Sequence, residues 1–127
     1  MNIGFSIVSV SILVDSMATS NNPKSSTETS GSLMACDFEI FGKVQGVFFR
    51  KYTQQQATKL NLVGWVKNAA TGTVQGHMEG RKDDINQMKT WLRTKGSPKS
   101  KITKAEFANE KSITQLNGKS FIVDRED

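Results

Sequence analysis

Apolar and polar residues alternate strictly in one stretch of the chain. Cys36, Phe38 and Ile40 take every second position, and Asp37 and Glu39 stand between them. A period of two predicts a strand with one buried face. Similar short runs bounded by turn residues follow: VGWVKN, GTVQGHMEG, KITKAEFANE and KSFIVDRE. Together these runs predict five strands, the last of them short.

Two stretches between these strands follow the helical spacing instead. The first predicts a helix over residues 49–60, from Phe49, Tyr52, Thr53, Gln56, Ala57 and Leu60. The second has an apolar stripe made by Ile85, Met88, Trp91 and Leu92. Asp83 and Asp84 favour the positive N-terminal end of this second helix, and Gly96 and Pro98 are typical of its C-terminal end.

The order of elements is β-α-β-β-α-β with one further strand at the C-terminus. This order predicts an α+β fold of the ferredoxin-like (split βαβ) kind, a two-layer sandwich. An antiparallel sheet would carry both helices on one face and leave its other face more polar. We predict one such domain over residues 35–127.

Residues 1–34 have a different composition. IGFSIVSVSILV is apolar and studded with serine, and SNNPKSSTETSGS is polar and low in complexity. Two interpretations stay open: a disordered N-terminal extension, with Met34 as an internal start, or a targeting segment. The Lys or Arg that normally precedes a signal-peptide core is missing here, which favours the extension.

Composition limits the kind of protein further. The 127 residues include 17 Lys and Arg against 12 Asp and Glu, and such a basic chain attracts nucleic acid, anionic surfaces or small phosphorylated substrates. A single cysteine, Cys36, excludes an internal disulfide and suits a reducing, cytoplasmic compartment. One His and one Cys cannot build a zinc site of the usual kind, and no apolar run is long enough to span a bilayer. Nothing in the sequence argues for more than a monomer.

The stretch GKVQGVFFR, from Gly42 to Arg50, joins the first strand to the first helix. It contains no Ser, Cys, His, Asp or Glu, so its side chains supply neither a nucleophile nor an acid–base group. A glycine-containing turn into a helix does present backbone N–H groups that can hold a phosphate-sized anion. Arg50 adds a planar fork that matches phosphate oxygens. An ordinary strand–helix turn with a surface arginine is the alternative.

A second stretch, GWVKNAATGTVQGHMEG, places Asn68 at the end of its strand beside a turn. A carboxamide can both donate and accept hydrogen bonds, so it can hold a water molecule in one direction. The alternative for Asn68 is a turn-forming residue that bonds its own backbone.

FGKVQGVFFR and GWVKNAATGTVQGHMEG together resemble the two signature motifs of the acylphosphatase family, and GSP at 96–98 and FANEK at 107–111 resemble its muscle and common types. The resemblance implies metal-independent hydrolysis of acyl phosphates to a carboxylate and inorganic phosphate, without a cofactor. It also implies that Arg50 and Asn68 are the catalytic residues. The implied phosphate-binding loop consists of Gln45, Gly46, Val47, Phe48, Phe49 and Arg50.

These residues suggest how the reaction runs. A carboxylate leaves without needing a proton, so phosphoryl transfer demands mainly positioning and charge stabilisation. We expect the loop amides and Arg50 to hold the phosphoryl group while Asn68 directs a water at it. Because neither motif contains a base, the proton of that water would pass to a phosphate oxygen of the substrate.

Other functions remain open at this point. A basic β-α-β-β-α-β chain also fits an RNA-binding module, although the run TVQGHMEG lacks the aromatic residues on which such modules stack bases. A non-catalytic module that binds an anion is a further alternative. His77 is either a general base or a solvated surface residue, and the second is favoured. The strand phase of Cys36 predicts a small core residue.

Overall fold

The computed structural model describes residues 32–125 and folds them into seven elements of helix and strand. The elements in chain order are β1 (Leu33–Lys43), α1 (Phe49–Lys59), β2 (Val63–Asn68), β3 (Val74–Arg81), α2 (Lys82–Thr94), β4 (Lys101–Ile113) and β5 (Phe121–Asp124). This is the predicted order, and the ferredoxin-like α+β prediction is confirmed.

The five strands form one sheet in the order β4-β1-β3-β2-β5. β1 runs antiparallel to both of its neighbours, β3 and β4, and β2 runs antiparallel to β3. The predicted antiparallel arrangement holds for these four strands. β5 departs from the predicted antiparallel arrangement, because it runs parallel to β2 at the free edge of that strand. This edge pairing carries the end of the chain to the strand that terminates in Asn68.

The core lies between the sheet and the two helices. Phe49, Thr53 and Ala57 are the buried residues of α1, and Ile85, Met88 and Leu92 are those of α2. Cys36, on the inward face of β1, is completely buried, and this burial raises the pKa of its thiol to about 11. The thiol is therefore protonated at neutral pH, which fits the prediction of a core residue.

The N-terminal boundary of the folded part differs from the predicted one. β1 begins at Leu33, two residues before the predicted domain start, because Leu33 pairs with both Arg81 and Ile113. The same pairing extends β4 to Ile113, beyond the predicted run that ends at residue 110. The extension expected over residues 1–34 lies outside the described residues except for its last three. α1 ends at Lys59, one residue earlier than predicted, because Leu60 has C-cap geometry.

The outer face of the two central strands is rich in acidic groups. Asp37 on β1 lies opposite His77 on β3, and Ala35 lies opposite Glu79. Glu39 shares this outer phase of β1. Carboxylates at these positions repel a phosphate backbone, which weighs against the RNA-binding alternative. Within residues 32–125, no helix has the length and apolar character needed to cross a bilayer.

Candidate active site

Three buried apolar side chains anchor the loop between β1 and α1 in the core. Val44, Val47 and Phe49 are buried, with at most 8% of their surface exposed, whereas Gly46 and Phe48 between them face solvent. Phe49 also packs its ring against Trp91 of α2, with the two ring centroids 6.0 Å apart. The apolar anchors therefore hold the loop, and their own side chains point into the core. Val47 and Phe49 can offer a ligand only their backbone groups.

The backbone of this loop has the conformation of an anion-binding turn. Gly46 (φ 77°) and Phe48 (φ 61°) lie in the left-handed region, and Val47 between them does not. Such alternation turns successive N–H groups toward one side of the chain. Among residues 32–125, the backbone N–H groups of 46–49 meet no hydrogen-bond acceptor. The loop thus ends in unsatisfied donors at the positive end of α1.

Arg50 lies in the first turn of α1, and its side chain is held by the edge strand. Its Nη1 donates a hydrogen bond to the backbone oxygen of Asp124, at 3.0 Å. One turn later, Nε2 of Gln54 donates to the backbone oxygen of Phe121, at 2.9 Å. These two bonds tie one face of α1 to β5. The guanidinium is half-buried and oriented before any ligand arrives.

Asn68 is the last residue of β2, directly opposite Val74 in the β2–β3 hairpin. The hairpin turn is closed by backbone bonds: Ala69 N–H donates to Thr73 O at 2.8 Å, and Gly72 N–H donates to Ala69 O at 3.0 Å. The Asn68 carboxamide makes no hydrogen bond to any other residue of the described chain. The alternative in which this side chain closes its own turn is therefore not observed, and its amide is available to water or ligand.

One cavity of about 360 Å³ brings these parts together. Its volume is at the lower end of the roughly 300–1,000 Å³ typical of small-molecule sites. The residues that line it are Val44, Gly46, Phe48, Phe49, Arg50, Lys51, Asn68, Val123 and Arg125. Three of these side chains are cationic, and no carboxylate is among them. The cavity is suited to a small anion.

Two residues of the predicted loop do not line this cavity. Val47 is buried beneath it, and Gln45 turns toward the β2–β3 hairpin. Nε2 of Gln45 donates to the backbone oxygens of Ala69 and Thr73, both at 2.9 Å. The Gln45 side chain therefore joins the loop to the hairpin that carries Asn68.

Four residues of the cavity wall were not predicted from the sequence: Val44, Lys51, Val123 and Arg125. Val44 directly precedes the predicted loop. Lys51 is adjacent to Arg50, so a basic pair at the start of a helix was an available signal. Val123 and Arg125 reach the site only because β5 pairs in parallel with β2, and no local pattern encodes that pairing.

A carboxylate on β1 supports the hairpin from outside. Oε2 of Glu39 accepts hydrogen bonds from the Thr73 hydroxyl at 2.7 Å and from Nε2 of Gln75 at 3.2 Å. These bonds, the one from Thr73 above all, lower the pKa of the Glu39 carboxyl. Glu39 thus remains ionised at neutral pH and holds the strand that follows the turn.

The remaining titratable residue of interest, His77, lies on the outer face of the sheet and not in the cavity. Its Nδ1 is 2.5 Å from Oδ1 of Asp37, and its Nε2 is 2.7 Å from Oε2 of Glu79. The prediction of a solvated surface histidine is wrong about its surroundings, because both ring nitrogens are paired with carboxylates. Within residues 32–125, no three or more His, Cys, Asp and Glu side chains are grouped so that they could hold a metal ion.

Comparisons with known proteins agree with the sequence motifs. The family model described as acylphosphatase matches residues 36–122. Acylphosphatase-1 of Homo sapiens is 56% identical over 92 residues, which is 72% of this chain and 93% of that protein. Acylphosphatase-1 of Xenopus tropicalis is 53% identical over 90 residues, covering 71% of this chain and 92% of that one.

A solved structure also matches the fold. The structure of an acylphosphatase from Coxiella burnetii superposes with a TM-score of 0.64 at 32% identity, and the match covers 73% of this chain and 94% of that one. The family model spans most of the described residues, including the loop after β1 and the β2–β3 hairpin. This chain belongs to the acylphosphatase family.

Proposed function

We propose that this protein hydrolyses the carboxyl–phosphate bond of acyl phosphates, releasing a carboxylate and inorganic phosphate. The observation that carries the proposal is the meeting of three features in one cavity: the donor-rich turn at Gly46–Phe49, the guanidinium of Arg50 and the carboxamide of Asn68. Family membership supports the same reaction.

The phosphoryl group is held by main-chain amides of the loop and by Arg50. Gly46 and Phe48 turn the N–H groups of the loop toward a bound anion, and the N-terminal end of α1 adds partial positive charge. Each charge-assisted hydrogen bond contributes about 1.5–3 kcal/mol, and such bonds strengthen as charge builds on the equatorial oxygens. Arg50 is suited to this role because its bond to Asp124 fixes the guanidinium in advance.

Asn68 positions the attacking water. The carboxamide oxygen accepts a hydrogen bond from the water and directs its lone pair at phosphorus, in line with the bond to the carboxylate. The new P–O bond forms as the bond between phosphorus and the carboxylate oxygen breaks, and the carboxylate leaves with the electron pair. The proton of the water passes to a phosphate oxygen of the substrate. No side chain has to act as acid or base, in keeping with the absence of His, Asp and Glu from the described residues that line the cavity.

The reaction needs no metal ion in this account. The positive charge that a cation would supply is provided by Arg50, with Lys51 and Arg125 at the cavity wall. The rate of hydrolysis in the presence of EDTA tests this metal-independence directly.

We further propose that the protein is a cytoplasmic monomer. The buried and unpaired Cys36 supports a compartment in which thiols stay reduced.

Hydrolysis of benzoyl phosphate by the full-length chain tests the proposal. We expect the substrate to disappear with release of one equivalent of inorganic phosphate, with competitive inhibition by added phosphate, and with an unchanged rate in EDTA. The Arg50→Ala variant, purified identically, is the control for contaminating phosphatases. A rate no faster than that of Arg50→Ala would refute the proposed activity, and a rate lost in EDTA and restored by Mg²⁺ would refute metal-independence.

A further inference from the structure

Phe48 is the most exposed large apolar side chain in residues 32–125. Its exposed fraction is 72%, compared with 59% for Ile122 and 38% for Leu116. An aromatic ring left in water gains nothing from the hydrophobic effect. Folding therefore gives no reason for a phenylalanine at this position.

The backbone of Phe48 makes the choice of residue more unusual. Its φ of 61° and ψ of 26° lie in the left-handed region, where a bulky side chain is rare and costs roughly 1–2 kcal/mol. Glycine or asparagine would adopt this conformation more easily. The conformation of the turn therefore does not explain a phenylalanine at this position. We look for the explanation in a function of its side chain.

The position of the ring suggests that role. Phe48 lines the same cavity as Arg50 and Asn68, and Val123 of β5 is a further apolar residue of the cavity wall. The Nζ of Lys51 lies 6.0 Å from the centroid of the Phe48 ring, within range of a cation–π contact. The loop amides already account for the phosphate end of a substrate. The acyl group must then extend along the remaining cavity wall, which contains the Phe48 ring.

We propose that Phe48 is the acyl-side specificity residue of this site. This inference rests on the proposed acyl phosphate hydrolysis and adds the class of substrate it favours. The Phe48 ring packs on acyl groups that present a broad apolar face, such as aroyl groups, and excludes water from one side of them. A group as small as acetyl does not extend far enough to cover the ring. The site therefore prefers aroyl phosphates to short-chain acyl phosphates.

The ratio of kcat/KM for benzoyl phosphate to kcat/KM for acetyl phosphate measures this preference. Asparagine tolerates the left-handed conformation, so Phe48→Asn removes the ring while keeping the turn. We expect the ratio to fall about tenfold in Phe48→Asn, as loss of an aromatic packing surface predicts, because kcat/KM falls more for benzoyl phosphate than for acetyl phosphate. Phe48→Tyr keeps the packing surface and should preserve the ratio.

Two further measurements separate this role from its alternatives. Ile122→Thr removes another exposed apolar side chain, one that does not line the cavity, and should leave the ratio unchanged. The inhibition constant of inorganic phosphate reports the loop itself and should be similar in wild type and Phe48→Asn. An unchanged ratio in Phe48→Asn would overturn the specificity role while leaving hydrolysis intact. Equal losses for both substrates, with weaker phosphate binding, would also overturn it and would assign Phe48 to loop structure. Failure of wild type to hydrolyse either substrate would instead refute the proposed function.

Discussion

Gln45 and Ala69 join the two halves of the candidate active site: the Gln45 side chain donates a hydrogen bond to the Ala69 backbone oxygen at 2.9 Å, across 24 positions of sequence. A second bond from the same nitrogen, to Thr73, makes the link bidentate. The distance between the phosphate-holding loop and Asn68 is thus set in part by this one carboxamide.

Gln45→Leu removes both bonds while keeping most of the side-chain volume. It leaves two backbone oxygens without this donor, and we expect a loss of about 1–3 kcal/mol in the free energy of unfolding. We also expect kcat to fall about tenfold, because a misplacement of the water-holding residue by about 1 Å is costly. Urea unfolding and steady-state hydrolysis of benzoyl phosphate measure the two effects.

Gln87→Ala is the control for this substitution, since Gln87 is exposed on α2. It should change neither stability nor kcat. Wild-type kcat in a folded Gln45→Leu protein would show that the link is structural only and has no part in positioning Asn68.

Gly46 and Gly72 form a matched pair for testing the loop. Both have positive φ, 77° and 95°, and an added methyl group at either position would meet no atom within 4 Å. Alanine at either site should therefore cost about 1–3 kcal/mol in the free energy of unfolding, from backbone strain alone. Only Gly46 lines the cavity, where the methyl group would occupy space used by the phosphate.

We expect Gly46→Ala to weaken inhibition by inorganic phosphate at least about tenfold, the equivalent of losing one charge-assisted hydrogen bond. Gly72→Ala should keep wild-type inhibition at a similar thermal stability. Equal effects of the two substitutions on phosphate inhibition would contradict the proposal that the loop containing Gly46 binds the phosphate.

His77, Asp37 and Glu79 form a cluster on the outer face of the sheet, and this cluster makes a pH-dependent contribution to the free energy of unfolding. Burial alone would lower the pKa of His77, but its bonds to Glu79 and Asp37 outweigh burial and raise that pKa above 6.5. Burial opposes the ionisation of both carboxyl groups as well. Bonds from Asn109 and His77 nevertheless lower the pKa of Asp37, and bonds from His77 and Asn117 lower that of Glu79. In the folded state the charged forms of all three groups are favoured.

These directions define the pH range in which the cluster stabilises the fold. The contribution of His77 is complete below pH 6.5 and is lost as the pH rises through the raised pKa of the folded state. The contributions of Asp37 and Glu79 are complete above pH 3.8 and 4.5 and are lost as the pH falls through their lowered values. The stabilising contributions of all three groups are therefore complete together between about pH 4.5 and 6.5.

His77→Gln tests this dependence. The difference in unfolding free energy between wild type and variant should be largest between about pH 5 and 6, roughly 1 kcal/mol for partly exposed ion pairs, and should shrink toward pH 8. Denaturant titrations at several pH values measure it, and Trp65 fluorescence is a local probe because Trp65 pairs with His77 across β2 and β3. A difference that does not vary with pH would contradict ion pairing, and unchanged hydrolysis by the variant is expected because His77 does not line the cavity.

The sequence predicts the elements well because each has a strong local pattern. The strict alternation around Phe38 and the helical stripe around Met88 are properties of neighbouring residues, and burial follows the predicted phase at both. The parallel pairing of β5 with β2 depends instead on which sheet edge remains free once the other strands have paired. No residue near Phe121 encodes that choice, so Val123 and Arg125 could not be placed in the site.

The candidate site, like the fold, could be predicted only in part from the sequence. Arg50 and Asn68 were predicted because the motifs that contain them resemble those of the family. The sequence places Gln45 and Val47 in the same loop as Gly46, but it does not say that Gln45 contacts the hairpin and Val47 the core. Side-chain direction at a turn depends on individual φ and ψ values, and the left-handed conformation of a phenylalanine is the least expected of them.

Asn68→Ala and Arg50→Ala should separate water positioning from phosphate binding. Arg50 meets the phosphate in both ground and transition states, so its loss should raise KM, weaken phosphate inhibition and lower kcat. Asn68 acts on the water alone in this account, so its loss should leave phosphate inhibition within about twofold of wild type.

The value of kcat for Asn68→Ala on benzoyl phosphate, measured beside the inhibition constant of inorganic phosphate, is the most direct test of this division of roles. We predict a fall in kcat of about 100- to 1,000-fold, as for removal of one preorganised polar group, with phosphate inhibition retained. A kcat close to that of wild type, or a loss of phosphate inhibition as large as that of Arg50→Ala, would contradict it.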